Sequence, residues 1–198
     1  MERFYLEEPS LKRKEDAISY VEEFIENNSV VHGSSSLDSE YKNYEEWLNY
    51  LEKRKNGYKN HVPGVCFFLI RKNDNRMIGM ISIRLVLNDQ LRECGGHIGY
   101  SIRPSERGKG YNKINLYLGL KVCKEYGLEG VLLDADLDNP ASWKTMEALG
   151  GKRIKEFIDP YDGSYSVKYS INVKEALDNY KNIYEPLIDK CKVYKRLI

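Results

Sequence analysis

The sequence lacks the patterns of a membrane span, a disulfide scaffold or a zinc module. No run approaches the ~20 apolar residues of a membrane helix. The opening residues, Met1-Glu2-Arg3-Phe4-Tyr5-Leu6-Glu7-Glu8, have no apolar stretch of the secretory kind, so no leader is expected. Cys66, Cys94, Cys123 and Cys191 form no CxxC pair, and His32, His61 and His97 are scattered. Neither a metal site nor a disulfide framework is expected, and a reduced, cytoplasmic chain is. Net charge is also scarce: 31 Lys and Arg face 30 Asp and Glu, leaving +1. Such a balance gives no general attraction to nucleic acid or to an anionic membrane, and neither partner is expected.

What remains is an ordinary globular composition. The chain has 198 residues, 41% hydrophobic and 31% charged, which suits one domain. Apolar residues at helical spacing predict helices over about 11–27 and from Asp38 through Leu51. The period then changes. Val65-Cys66-Phe67-Phe68-Leu69-Ile70 and the stretch from Met77 read as a hairpin about Lys72-Asn73-Asp74-Asn75. A strand over about Gly96–Arg103, a helix from Gly110 or Tyr111, a strand from Val131 and a helix from Asn139-Pro140 follow. Two last strands flank the turn at Asp159-Pro160-Tyr161-Asp162-Gly163. This order predicts an α/β (α+β) domain with a mixed sheet over 1–171, then a helical extension over 172–198 kinked or broken at Pro186. Deleting 173–198 is expected to leave ligand binding in place.

The segment from Gly96 to Asn112 carries the chemistry. It reads as a strand, a glycine-containing basic loop and a helix start. A helix start leaves backbone N–H groups without partners and carries positive potential. Arg103, Arg107, Lys109 and Lys113 against Glu106 add a local excess of three positive charges. A phosphate or diphosphate is the expected guest. The segment has neither GxxxxGK[ST] nor GxGxxG, so a solvated helix cap remains open on this loop alone.

Arg107-Gly108-Lys109-Gly110-Tyr111-Asn112 resembles the (Gln/Arg)-x-x-Gly-x-(Gly/Ala) loop of the GNAT N-acetyltransferase superfamily. Asn139-Pro140-Ala141-Ser142 through Leu149-Gly150 looks like the family's second motif, in the right order. The resemblance covers about residues 1–171. Within the family, His32-Gly33-Ser34 and Gly95-Gly96-His97-Ile98-Gly99-Tyr100 look most like bacterial predicted acetyltransferases of unassigned substrate. It implies a mostly antiparallel sheet flanked by helices. It also implies acetyl transfer from acetyl-CoA to a primary amine of a small molecule or peptide, releasing coenzyme A.

Carried over residue by residue, the resemblance gives the cofactor Ile102, Arg103, Arg107, Gly108, Lys109, Gly110, Tyr111, Asn112, Asn139 and Ser142. His97 stands where many members place a catalytic Glu, and its ordinary pKa suits a base at neutral pH. Glu93 is the second candidate base. His32, Ser34, Asp38, Tyr41 and Tyr44 fall where the family binds its acceptor. Two departures stand out. Asn112 replaces the usual Gly or Ala, and Met146 replaces a Tyr that protonates the leaving thiolate, which a thioether cannot do. These departures keep a non-catalytic acyl-CoA-binding or regulatory module open as the alternative. The C-terminal helix offers a surface for a homodimer.

Overall fold

The computed structural model describes residues 1–189. Four strands, β1 (Phe4–Glu7), β2 (Gly64–Arg71), β3 (Arg76–Arg84) and β4 (Ile98–Ile102), form one antiparallel sheet in that order. A second antiparallel sheet has the order β5 (Gly130–Asp136), β7 (Tyr165–Asn172), β6 (Lys152–Ile158). The helices are α1 (Lys14–Glu26), α2 (Leu37–Glu40), α3 (Tyr44–Arg54), α4 (Asp89–Glu93), α5 (Tyr111–Glu125), α6 (Pro140–Glu147) and α7 (Val173–Tyr184). No helix among the described residues is long and apolar enough to cross a membrane.

The unbroken apolar run of β2 follows from burial on both faces. Val65, Phe67 and Leu69 join the core against α5, while Cys66, Phe68 and Ile70 join a second core with Tyr20, Phe24 and Trp47. The first sheet is thus sandwiched, with α5 on one side and α1 and α3 on the other. In β5, Val131, Leu133 and Ala135 enter the α5 core. Leu132, Asp134 and Asp136 therefore point to the opposite face, because side chains alternate along a strand.

Two elements escape the sequence pattern. β1 is only four residues long and becomes a strand by pairing with Phe68–Arg71 of β2. The segment before β4 contains the short helix α4, capped where Asn88 Oδ1 accepts the Leu91 N–H. The C-terminal helix breaks at Pro186: α7 ends at Tyr184 and a single 3-10 turn follows over Glu185–Leu187, while part of the expected extension lies outside the described residues. α7 buries Val173, Ala176, Leu177 and Tyr184 in the same core as α5. The Tyr184 ring lies 5.0 Å from that of Tyr117, and Asp189 N donates to Phe4 O at 2.9 Å.

Candidate functional site

The two sheets meet at one point. His97 N donates to Leu132 O at 2.7 Å, and Leu132 N donates to His97 Nδ1 at 3.0 Å. Gly96 makes the approach possible: its φ is +59°, and a Cβ there would lie 2.3 Å from Leu132 O. Beyond this pinch the strands are not paired, since β4 bonds only β3 and β5 only β7. An antiparallel ladder alternates inward and outward backbone groups. Arg103 N bonds Ile78 O, and Arg84 N bonds His97 O. The odd residues of β4 therefore bond β3, while the peptide groups of Tyr100 and Ile102 face β5 across the gap. On the other side Val173 N bonds Glu129 O, so by the same alternation Asp134 and Asp136 turn their backbone towards β4. The result is a strand edge inside the molecule that no neighbouring strand pairs; of its groups, Ile102 O accepts from Arg107 Nε.

That edge leads to the start of α5. The N–H groups of Gly108, Lys109, Gly110, Tyr111 and Asn112 have no hydrogen-bond acceptor among the described residues. Gly110 is the N-cap with φ +80°, no side chain caps the helix, and its first turn has no acid. A Cβ on Gly108 or Gly110 would meet nothing within 4 Å, so both face open space. The Asn112 Oδ1 atom is buried without a partner. This cradle fits a diphosphate through backbone N–H groups and the helix dipole.

The basic side chains contribute less than their number suggests. Arg103 is only 3% exposed and turns to α1, donating to Glu23 at 2.8 Å and to Met77 O at 3.1 Å. Arg107 Nη2 donates to Ser29 Oγ at 2.8 Å, its Nε to Ile102 O, and its guanidinium covers Phe24. Lys109 pairs with Glu106 at 2.7 Å. Glu106 is buried beneath Arg71 and Arg76 as well, and against the cost of burial Arg71 and Lys109 hold its carboxyl below the usual range. Of the residues placed at the cofactor, Arg103 is therefore turned away by its side chain, while Gly108 to Asn112 converge.

The second motif lies across the gap. Asn139 Oδ1 caps α6 by accepting the Ser142 N–H at 3.3 Å. The Tyr100 hydroxyl reaches from β4 to Ser142, 3.2 Å from its carbonyl and from its Oγ. Burial pushes the Tyr100 phenol well above the ordinary range. Met146 is 1% exposed and packs in the core, so no proton donor stands at that position.

On the opposite face, the loop after α1 lies over β4. Ser101 Oγ donates to His32 O at 2.6 Å, and a Cβ on Gly33 would lie 2.3 Å from Gly99 O. His32 and Asp38 are exposed, Ser34 Oγ donates to Asp38, and Tyr41 is half-buried. Tyr44 is not at a surface. It is 1% exposed, packs on Trp47 and donates to Ser10 O at 3.0 Å.

Neither candidate base sits as expected. With Nδ1 of His97 accepting from Leu132, the neutral ring carries its proton on Nε2 and has no lone pair to spare. Burial, then Arg92, Arg84 and Lys168, pulls its pKa down to about 4. Glu93 is exposed on α4. Asp134 and Asp136 of β5 turn their backbone to the gap, while their carboxylates lie on the sheet face; their alternation in an otherwise apolar strand is the only sequence signal for them. Asp134 accepts from Lys168 Nζ at 2.6 and 2.8 Å and from Gly95 N at 2.7 Å. Asp136 accepts from the Ser164 and Ser166 hydroxyls.

Residues 3–152 match the family model described as an acetyltransferase (GNAT) domain. No curated protein matches the sequence. Among solved structures, the chain is similar to a chimera of the spermidine N-acetyltransferase SpeG from Vibrio cholerae and hSSAT. The identity is 13% with TM-score 0.64, covering 89% of this chain and 99% of that one. It is similar as well to the ribosomal-protein-S5-alanine acetyltransferase of Vibrio fischeri, at 18% identity and TM-score 0.61, covering 86% and 92%. The microcin C7 self-immunity acetyltransferase MccE, in complex with acetyl-CoA and AMP, gives the same identity, TM-score and coverage. These likenesses concern the fold; the domain match sets the family, and the chain belongs to the GNAT acetyltransferases.

Proposed function

We propose that the protein transfers the acetyl group of acetyl-CoA to a primary amine of a small molecule or peptide. The observation that carries this is the unpaired interior edge of β4, which runs into five backbone N–H groups without acceptors. Gly108 to Asn112 would hold the diphosphate. The peptide groups of Tyr100 and Ile102 would pair with the amides of the pantetheine arm, as an edge strand pairs with an extended chain. Asn139 and Ser142 would border the same arm from α6. When bound, acetyl-CoA supplies a thioester carbon open to a nucleophile.

The amine approaches from the other face. An ammonium has no lone pair and must lose a proton before it attacks. Asp134, two residues past the pinch and fixed by Lys168 and Gly95, supplies the negative charge that orients the ammonium there, and the proton passes to solvent water. His97 acts instead as the clasp that sets the width of the gap. The Tyr100 hydroxyl positions α6, and the departing thiolate takes its proton from solvent.

The buried Met146 and the engaged His97 favour a second reading, an acyl-CoA-binding module without turnover. Calorimetric binding of acetyl-CoA, followed by coenzyme A release across an amine panel, separates the two. Binding with release supports the enzyme. Binding without release for any amine supports the module, and absence of binding removes both.

A further inference from the structure

The acceptor side of the sheet holds two guanidinium groups that form no ion pair among the described residues. Arg54, at the end of α3, is only 6% exposed. Its Nη1 donates to Ser35 Oγ, while its buried Nε has no partner. The Nη2 atom lies against Gly64, where a Cβ would come within 3.0 Å of it. The Nε–Nη2 edge, one of the two faces by which arginine grips an anion bidentately, is therefore unused. Gly64 pairs with Arg84 across β2 and β3. The Arg84 Nη1 donates to Gly95 O at 3.1 Å and to Gly96 O at 2.9 Å. Neither arginine forms an ion pair among the described residues, in contrast to Arg13, Arg71, Arg76 and Arg103.

The two groups sense each other. Burial first, and Arg54 next, lower the pKa of Arg84. Two cations held close together at partial burial are costly unless a negative group joins them. Asp134 lies within range of Arg84, but Lys168 and Gly95 already engage its oxygens. The position also has functional sense. Arg84 holds Gly95 and Gly96, immediately before the His97 clasp, so it marks the closed end of the gap. The diphosphate cradle is at the far end of β4, beyond Ile102.

We infer that Arg54 and Arg84 form an anion subsite that holds a carboxylate or phosphate carried by the acceptor amine. The inference rests on the acetyltransferase reading and narrows its acceptor to amines bearing an anionic group. The anion docks beyond the closed end, and the amine then faces Asp134 across the acetyl group's position. The Ser35 hydroxyl ties the loop after α1 to the same subsite through Arg54, so that loop orders around the bound acceptor.

Matched acceptors test this. The full chain, saturated with acetyl-CoA, is assayed with O-phosphoethanolamine against ethanolamine, and with amino acids against their amides. The expected result is at least a tenfold higher kcat/KM for one of the anionic partners over its neutral match. The phosphate arm and the carboxylate arm show which anion is taken. Arg54→Gln and, as a milder change, Arg54→Lys should reduce that preference at least tenfold while leaving acetyl-CoA affinity unchanged, since Arg54 touches neither the clasp nor the cradle. In parallel, the arginine Nε–H resonances of 15N-arginine-labelled protein are followed with the same compounds. Shifts at Arg54 and Arg84 with an anionic compound and not its neutral match support the subsite even for a protein that does not turn over. Equal rates within each pair, preference for a polycation, or unshifted arginine resonances would overturn it. Failure to bind acetyl-CoA would instead count against the proposed function, since the resonances report the subsite separately.

Discussion

Leu132 and His97 exchange two hydrogen bonds, one backbone to backbone and one from the Leu132 amide to the imidazole Nδ1. This contact closes one end of the gap between the sheets. A histidine suits the position because its ring supplies an acceptor where β4 can no longer offer a carbonyl in register. The same bond makes the residue a poor base, since protonating Nδ1 would break it.

The stability of the fold should fall in mild acid through His97. Its folded pKa is near 4, against an ordinary 6.5. Between those values the unfolded chain binds more protons, so lowering the pH favours unfolding. The contribution is whole above pH ~6.5 and is lost progressively towards pH 4, at most about 3 kcal/mol. Urea unfolding at pH 7.5 and 4.5 should show this slope, and His97→Asn should flatten it. An identical slope in the variant would assign the acid sensitivity elsewhere.

Gly110→Glu should weaken acetyl-CoA binding by more than about a hundredfold, or roughly 3 kcal/mol. The residue has a positive φ and opens onto the free N–H groups, so a carboxylate there takes the place of the diphosphate. Calorimetry against acetyl-CoA measures the loss. Unchanged affinity would move the diphosphate away from this loop.

Gly96→Ala should destabilise the protein more than a typical surface change. The positive φ alone costs about 1–3 kcal/mol, and the new Cβ would press on Leu132 O, which belongs to a strand that cannot yield. A thermal midpoint within a degree or two of the parent would show that the sheets can separate freely at this point.

Glu106→Gln should cost about 3–5 kcal/mol, because it leaves Arg71, Arg76 and Lys109 around a neutral amide. Its lowered carboxyl pKa adds stability that is present above the ordinary carboxylate value and is lost as pH falls through the folded one. Chemical denaturation of the variant, compared with Lys109→Met, separates the buried carboxylate from its most exposed partner. The lysine change should cost under about 1 kcal/mol.

Truncation after Asn172 should unfold the domain. On the sequence alone the deletion looks harmless, but Val173, Ala176, Leu177 and Tyr184 complete the core around α5. α5 also carries the cradle, so the truncated chain should show neither a cooperative melt nor acetyl-CoA binding. A folded truncation would make α7 an appendage.

Legibility tracked the range of the interactions. The β2–β3 hairpin, α5, α6 and the last two strands were visible because apolar period and turn residues are local. β1 was not, since its four residues gain strand structure only from Phe68–Arg71. The cradle was visible because glycines and a helix start are adjacent in sequence. The placement of Tyr44 was not: the family resemblance puts it at the acceptor site, and packing on Trp47 buries it.

The sequence by itself determined the family, the helix start and the glycines that leave its N–H groups open, because each depends on neighbours a few residues apart. Only the tertiary structure decided where charge remains available. It removed Arg103 and Lys109 from the loop by pairing them with Glu23 and Glu106, and engaged His97 with Leu132. It left Arg54 and Arg84 on either side of Gly64 without an ion pair among the described residues. Electrostatic partners are set by distance through space and by burial, and neither is written in the order of residues along the chain.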